Sequence, residues 1–162
     1  MSSVNKNLSS FEGTPVPDAK PFKFGIVYSE WNSEITTALR DGAVNTLMAN
    51  GALKENISVR TVPGSFELTL GAQYFAEFTN VDAVICLGCV IQGETRHFDF
   101  ICSAVAQGIT DLNVKYNKPF IFGVLTPDTQ QQAVDRSGGK HGNKGDEAAV
   151  TAIKMLALKR GF

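Results

Sequence analysis

The segment Gly93-Glu94-Thr95-Arg96-His97 gathers a flexible glycine, a hydroxyl, a guanidinium and an imidazole in one short stretch. Before it, Val84-Ile85-Cys86-Leu87 is an apolar run suited to a buried strand, and the run stops at Gly88. After it, Ile101, Ala104, Val105, Gly108, Ile109 and Leu112 recur at helical spacing. The segment is therefore expected to leave the end of a strand and enter the first turn of a helix. Free backbone N–H groups at such a place carry partial positive charge and suit a phosphate or an oxyanion. Gly93 and Thr95 make this loop an anion site. His97 falls in or just before the first turn, where the helix dipole favours a neutral, basic imidazole. A histidine there has a plainer explanation as a cap or a packing residue. The anion-binding character of the same loop favours proton transfer.

Such a loop needs a strand behind it and a helix ahead, and the rest of the chain repeats that unit. Residues 23–28 (KFGIVY), 57–62 (ISVRTV), 82–87 and 119–125 (PFIFGVL) read as strands. A helix is expected to about Ala49, with Ile35, Ala38, Leu39, Gly42, Ala43 and Leu47 inward. Asn32 or Ser33 suits its N-cap, and Asn50-Gly51 its left-handed end. Further helices are expected from the turn at 63–67 to about Phe78, up to about Tyr116, over a short 129–136, and over 143–159. The last would bury Ala149, Ala152, Ile153, Leu156 and Ala157, and Ser137–Gly142 before it reads as a glycine-rich turn.

Strand and helix alternate throughout, which predicts an α/β fold: a three-layer α/β/α sandwich around a four-stranded parallel sheet. Ligands of such sheets bind beyond the carboxyl ends of the strands. The loops at that rim carry Trp31, then Ser65-Phe66-Glu67, then Glu94-Thr95-His97, then Thr126-Asp128. Their convergence on one edge points to a site there. Residues 1–20 read as an arm, either a mobile tail or an extended segment anchored on a neighbour by Phe11 and Val16. Residues 21–162 read as a single domain.

Each side chain also has a bland explanation. Trp31 either closes the core or offers a platform for a flat ring. Glu67 either favours the positive end of its helix or accepts hydrogen bonds from a polyol. Arg136 and Lys144 are isolated surface cations or supply charge to a phosphate held by an adjacent subunit. His141 reads as a solvated turn residue. Cys86-x-x-Cys89 resembles a redox or zinc pair, but the first cysteine lies inside an apolar strand and no second close pair of ligands follows. Buried packing thiols account better for Cys86, Cys89 and Cys102, and no metal is expected.

With 162 residues, 43% hydrophobic and 19% charged, the chain can bury the core of one globular domain. A formal net charge of -1 offers no basic field for nucleic acid or an anionic membrane, so any anion site must be local. Three cysteines and a polar N-terminus with no apolar signal core fit a reduced, cytoplasmic protein. No apolar run approaches membrane-spanning length.

Three stretches in order resemble the signatures of one family. GCVIQGETRHFDFI (residues 88–101), VPGSFEL (62–68) and FGVLTPDTQQQAVDRSGGKHGNKGDEAA (122–149) are similar to those of 6,7-dimethyl-8-ribityllumazine synthases, whose fold is flavodoxin-like. The resemblance runs from about Phe22 to the C-terminus. It implies a transferase that condenses 5-amino-6-(D-ribitylamino)uracil with 3,4-dihydroxy-2-butanone 4-phosphate, the penultimate step of riboflavin biosynthesis. Phosphate and water leave, and no cofactor is needed.

The resemblance further implies that Trp31 stacks on the pyrimidine while Ser65, Phe66 and Glu67 line the ribityl and ring pocket. The backbone of Cys89, Val90 and Ile91 would read the uracil edge. Gly93, Glu94 and Thr95 would hold the phosphate, and His97 would move protons. Phe122, Arg136 and Lys144 would come from the neighbouring subunit of a pentamer, with Arg136 on the phosphate. In some members of this family twelve pentamers close into an icosahedral shell, and the short turn GGKHG resembles that of the shell-forming members. Riboflavin synthase is a candidate partner. The sequence departs from the family pattern at Thr69, where proline is usual, at Gln92, where a basic residue is common, and at Trp31, where phenylalanine is. Two other readings compete: a flavodoxin-like protein that holds a flavin or lumazine without turnover, and a purely structural shell protein. Against the first, the loop at 29–33 lacks the Ser/Thr-rich phosphate cradle such carriers place there.

Overall fold

The structure is a computed structural model and describes residues 7, 9–11 and 15–162, so the expected arm at 1–20 lies partly outside the described residues. The main elements are β1 (Phe24–Ser29), α1 (Ser33–Ala49), β2 (Ile57–Val62), α2 (Leu68–Phe78), β3 (Ala83–Cys89), α3 (His97–Tyr116) and β4 (Phe120–Leu125). After them come α4 (Gln130–Asp135), a hairpin of β5 (Ser137–Gly139) and β6 (Gly142–Asn143), and α5 (Lys144–Arg160). Strands β1 to β4 form one parallel sheet in the order β2-β1-β3-β4. This is the three-layer, flavodoxin-like arrangement that alternating strands and helices predict.

The period of two along each strand builds the two cores. In β1, Ile26 faces a cluster with Leu39 and Leu47 of α1 and Ile153 of α5, while Val27 faces Leu68 of α2 and Leu112 of α3. In β3, Ile85 and Val84 divide in the same way. Every residue of β3 is buried because strands flank it on both sides and helices cover both faces. β2 lies at an edge and is only half-buried.

Helix α1 ends as its sequence predicts. Gly51 takes φ 99°, the Ala52 N–H donates to the Leu47 carbonyl at 3.0 Å, and the Gly51 N–H donates to that of Met48 at 3.0 Å. Its start differs from expectation. Asn32 holds the N-cap position in the left-handed region, φ 57° and ψ 46°, and its side chain makes no capping hydrogen bond.

The segment read as a turn at 137–142 pairs as an antiparallel hairpin. Strands of three and two residues leave no alternation to detect. Asn143 then caps α5, its Oδ1 accepting the Gly145 N–H at 2.8 Å while its Nδ2 donates to the Ala38 carbonyl at 2.9 Å. The arm contacts its own chain here: Ser9 Oγ accepts the Asn143 N–H at 2.9 Å and donates to Asp146. Val16 packs against the α1–α5 core.

The α1–α5 contact carries the hairpin and the residues that flank it, and it depends on Gly145. A Cβ there would stand 2.0 Å from the Leu39 carbonyl oxygen. Backbone cannot yield as a side-chain tip can. Gly145→Ala is expected to cost about 3 kcal/mol, read as a lower urea midpoint at fixed protein concentration. An unchanged midpoint would show that α1 and α5 separate freely.

Candidate active site

Past the end of β3 the chain stays extended and its backbone groups divide between two sides. The Val90 N–H donates to the Leu125 carbonyl at 2.8 Å and the Gln92 N–H to the Pro127 carbonyl at 2.9 Å. Alternate residues point the opposite way, toward the loop after β1. There the Cys89 carbonyl accepts from Asn32 Nδ2 at 3.0 Å. Among the described residues, the N–H and C=O of Ile91 make no hydrogen bond.

The next residues leave their amides free. Gly93 to Arg96 are exposed, and their N–H groups make no hydrogen bond among the described residues. Thr95 Oγ1 accepts the His97 N–H at 3.4 Å, and the Arg96 carbonyl accepts the Asp99 and Phe100 N–H groups at 3.1 and 3.4 Å. His97 is the first residue of α3 and is exposed. The Arg96 guanidinium folds back along α3, 5.7 Å from the Phe100 ring centroid and 3.7 Å from the Asp99 carboxylate. The free N–H groups are the anion-receptive feature that the glycine–threonine spacing predicts.

A cleft of about 500 Å³ opens where the loops after β1 and β3 diverge. Trp31 and His97 line it, with Ser65, Phe66 and Glu67 from the 3-10 turn before α2 and Cys89, Val90 and Ile91 from the end of β3. Trp31 is 73% exposed, so it does not close the core. Its N–H donates to the Pro63 carbonyl at 3.1 Å, and the Glu30 N–H to the Val62 carbonyl at 2.8 Å, so this loop continues the pairing with β2. Glu67 Oε2 accepts the Gly64 N–H at 3.0 Å, which turns the carboxylate back over its own loop. The Ser65 hydroxyl is buried without a hydrogen-bond partner among the described residues. It sits over Gly88, where a Cβ would come within 2.7 Å of it. An unsatisfied hydroxyl in a cleft wall is costly unless a ligand group meets it.

The remaining candidates lie elsewhere on the chain. Phe122 and Lys144 line a separate cavity of about 490 Å³ between β4 and α5. Lys144 Nζ is held 2.7 Å from Glu147 Oε1. Arg136 follows α4 and donates to the Gln132 carbonyl at 3.1 Å. None of the three lines the cleft of Trp31 and His97. The four rim loops do not all converge either, because Thr126 belongs to the second cavity. Gly93, Glu94 and Thr95 adjoin the first cleft without lining it.

Asn32, Gly64 and Ile101 also line the cleft and were not singled out as site residues by sequence. An asparagine before a helix reads as its cap, and Gly64 and Ile101 read as turn and core residues.

A parallel sheet with a cleft at its strand-order reversal, lined by an exposed indole and an imidazole with free amides next to it, is the arrangement of a flavodoxin-like domain with a small-molecule cleft. Residues 21–160 match the family model for 6,7-dimethyl-8-ribityllumazine synthase. Proteins of that name from Cytophaga hutchinsonii and Parabacteroides distasonis are 64% and 58% identical, over 97% and 96% of this chain and 98% of each relative. One from Flavobacterium psychrophilum is 54% identical over 98% of this chain and 84% of its own length. The chain belongs to the 6,7-dimethyl-8-ribityllumazine synthase family, transferases of riboflavin biosynthesis.

The thiols are part of the packing. Burial pushes Cys86 up to about 12, and burial, with Cys102 beside it, does the same for Cys89. The reactive thiolate is then scarce near pH 8. Iodoacetamide at pH 8 should leave Cys86 and Cys89 unmodified in the native protein and label all three cysteines in urea. Rapid native labelling of Cys86 would contradict the burial that sets its pKa.

Proposed function

We propose that this chain condenses 5-amino-6-(D-ribitylamino)uracil with 3,4-dihydroxy-2-butanone 4-phosphate to 6,7-dimethyl-8-ribityllumazine, releasing phosphate and water without a metal or organic cofactor. The observation that carries this is one cleft bounded by an exposed indole, an unpaired backbone edge and an imidazole, with free amides next to it. The pyrimidine lies against Trp31, and its edge meets the Ile91 N–H and C=O. Cys89 and Val90 support that edge, because the Cys89 carbonyl and the Val90 N–H are already engaged within the fold. The ribityl chain runs past Ser65, Phe66 and Glu67, where the unpartnered hydroxyl gains a partner. The phosphate rests on the amides of Gly93, Glu94 and Thr95 and takes the Thr95 hydroxyl as donor.

Chemistry then follows from position. Attack of the 5-amino group on the ketone gives a carbinolamine, and loss of water gives an imine. Elimination of phosphate leaves an enol that becomes a second carbonyl, and closure of the ribitylamino nitrogen onto that carbonyl loses a second water; these steps move protons in both directions, which the His97 imidazole provides. Amide dipoles and a guanidinium on the phosphate make it a better leaving group. Holding two substrates in register supplies much of the remaining rate.

The active site is completed between subunits of a homo-oligomer, read as a pentamer and, from the family's short GGKHG turn, as a shell of twelve. Phe122 and Lys144 line a second cavity and Arg136 lies outside the first cleft, so a neighbour's copies of these residues can meet the first. Leu70, Tyr74 and Phe78 leave an apolar surface exposed along the β2 edge, which also supports assembly. The neighbour's N-terminal arm is placed on that edge as an added strand. Residues 21–162 act as one catalytic domain, riboflavin synthase is the candidate partner enzyme, and free thiols fit a cytoplasmic location.

Mixing the two substrates with the protein and recording lumazine absorbance tests the activity; no lumazine overturns it. His97→Ala should slow turnover by at least about tenfold with assembly intact. Arg136→Ala should raise the Michaelis constant of the phosphate substrate by about tenfold or more, the worth of a charge-assisted hydrogen bond.

Mixed assembly tests the shared site. When equal amounts of the two variants are unfolded and reassembled together, an interface is intact if one side keeps His97 and the other keeps Arg136. Random mixing makes that about one half times one half, so about a quarter of wild-type activity should return in the closed ring. No recovery would place both residues in a site within one subunit.

A further inference from the structure

We infer that Asn32 is a positioning residue of the cleft: its left-handed backbone and its hydrogen bond to the Cys89 carbonyl hold the Trp31 indole in register with the Ile91 backbone edge. The identity of the ligand between those two walls rests on the function proposed above. The bond itself does not.

Three observations converge on this residue. Asparagine at an N-cap ordinarily accepts a hydrogen bond from the first helical turn. Here that bond is absent, and Nδ2 donates instead to the Cys89 carbonyl at 3.0 Å. The backbone at φ 57° is a conformation that few residues other than glycine, asparagine and aspartate tolerate. Asn32 also lines the cleft, next to Trp31.

The consequence is a two-sided suspension of the indole. On one flank the Trp31 N–H is held by the Pro63 carbonyl beyond β2. On the other, the next residue is held by the last residue of β3. Without the second tie, the loop would hang from β2 alone, and the indole could swing relative to the backbone edge that β3 carries. The same bond engages the Cys89 carbonyl, so Ile91 is left as the unpaired edge on that side. Asn32 therefore sets both the spacing and the pattern of donors and acceptors that a flat ring meets.

Two variants separate this role from simple helix capping. Asn32→Gly keeps the backbone conformation and removes the side chain. Asn32→Asp keeps shape and conformation but sets a carboxylate against a carbonyl. Both are studied in the full-length assembled protein. Trp31 is the only tryptophan, so its fluorescence anisotropy and acrylamide quenching in the absence of ligand report the indole alone.

Both variants should lower the anisotropy and increase the quenching. Asn32→Gly should raise the Michaelis constant for the ribitylaminouracil by about fivefold to tenfold, the worth of one neutral hydrogen bond. The constant for the butanone phosphate and the melting temperature should stay near wild type. Native anisotropy in Asn32→Gly, or a native pyrimidine constant in it, overturns the inference. Equal losses for both substrates together with a lower melting temperature would also overturn it, as the mark of a purely structural residue. Should the wild-type protein form no lumazine, the proposed function fails, and the ligand-free anisotropy of the two variants still decides whether Asn32 holds the indole.

Discussion

Between β1 and β3 the chain departs in two directions. β1 leads to α1 on one face of the sheet, and β3 leads to α3 on the other. Neither connection can cover the gap between two adjacent strand ends, so the fold keeps a crevice there whatever its sequence. The strand order β2-β1-β3-β4 puts this gap beside the fully buried strand β3, the most rigid place from which a loop can start. The groups that line the first cleft come from the loops after β1 and β2, the end of β3 and the first turns of α3.

Several backbone groups at this opening make no hydrogen bond among the described residues. Val90 and Gln92 turn their N–H groups toward β4 and the loop after it and are paired there. Ile91 and the run from Gly93 to Arg96 keep theirs free. The Ser65 hydroxyl is buried and alone. Unpaired donors cost stability, and proteins keep such costs where a ligand repays them. The strict alternation of an extended backbone distributes the roles: one residue in two ties the loop to the sheet, and the other presents an edge.

The cations are placed differently. Lys144 is matched by Glu147, Arg136 points along its own helix, and both flank the hairpin clamped onto α1 through Asn143 and Gly145. On the proposed reading, this separation makes activity depend on assembly, because phosphate charge is neutralised only when a neighbour brings its guanidinium to the amide cradle. The clamp then matters to catalysis at a distance, since it sets where Arg136 and Lys144 stand on the outer surface.

Much of this was legible in the residues. Period-two and helical patterns marked the main strands and helices, since each must bury a continuous stripe, and three signature stretches named the family. The free N–H groups from Gly93 to Arg96 were legible because a strand–glycine–helix junction leaves N–H groups unpaired. The hairpin at 137–143 was not, because strands that short carry no period. The role of Asn32 was not either. An asparagine before a helix looks like a cap in any chain, and only the arrival of the Cys89 carbonyl 57 residues later in sequence gives its amide something else to bond. Sequence alone determined the layers and the family, the first from local periodicity and the second from three ordered motifs. Tertiary structure decided which backbone groups remain unpaired and which site residues share a cleft, because both depend on strand neighbours that are distant in the chain.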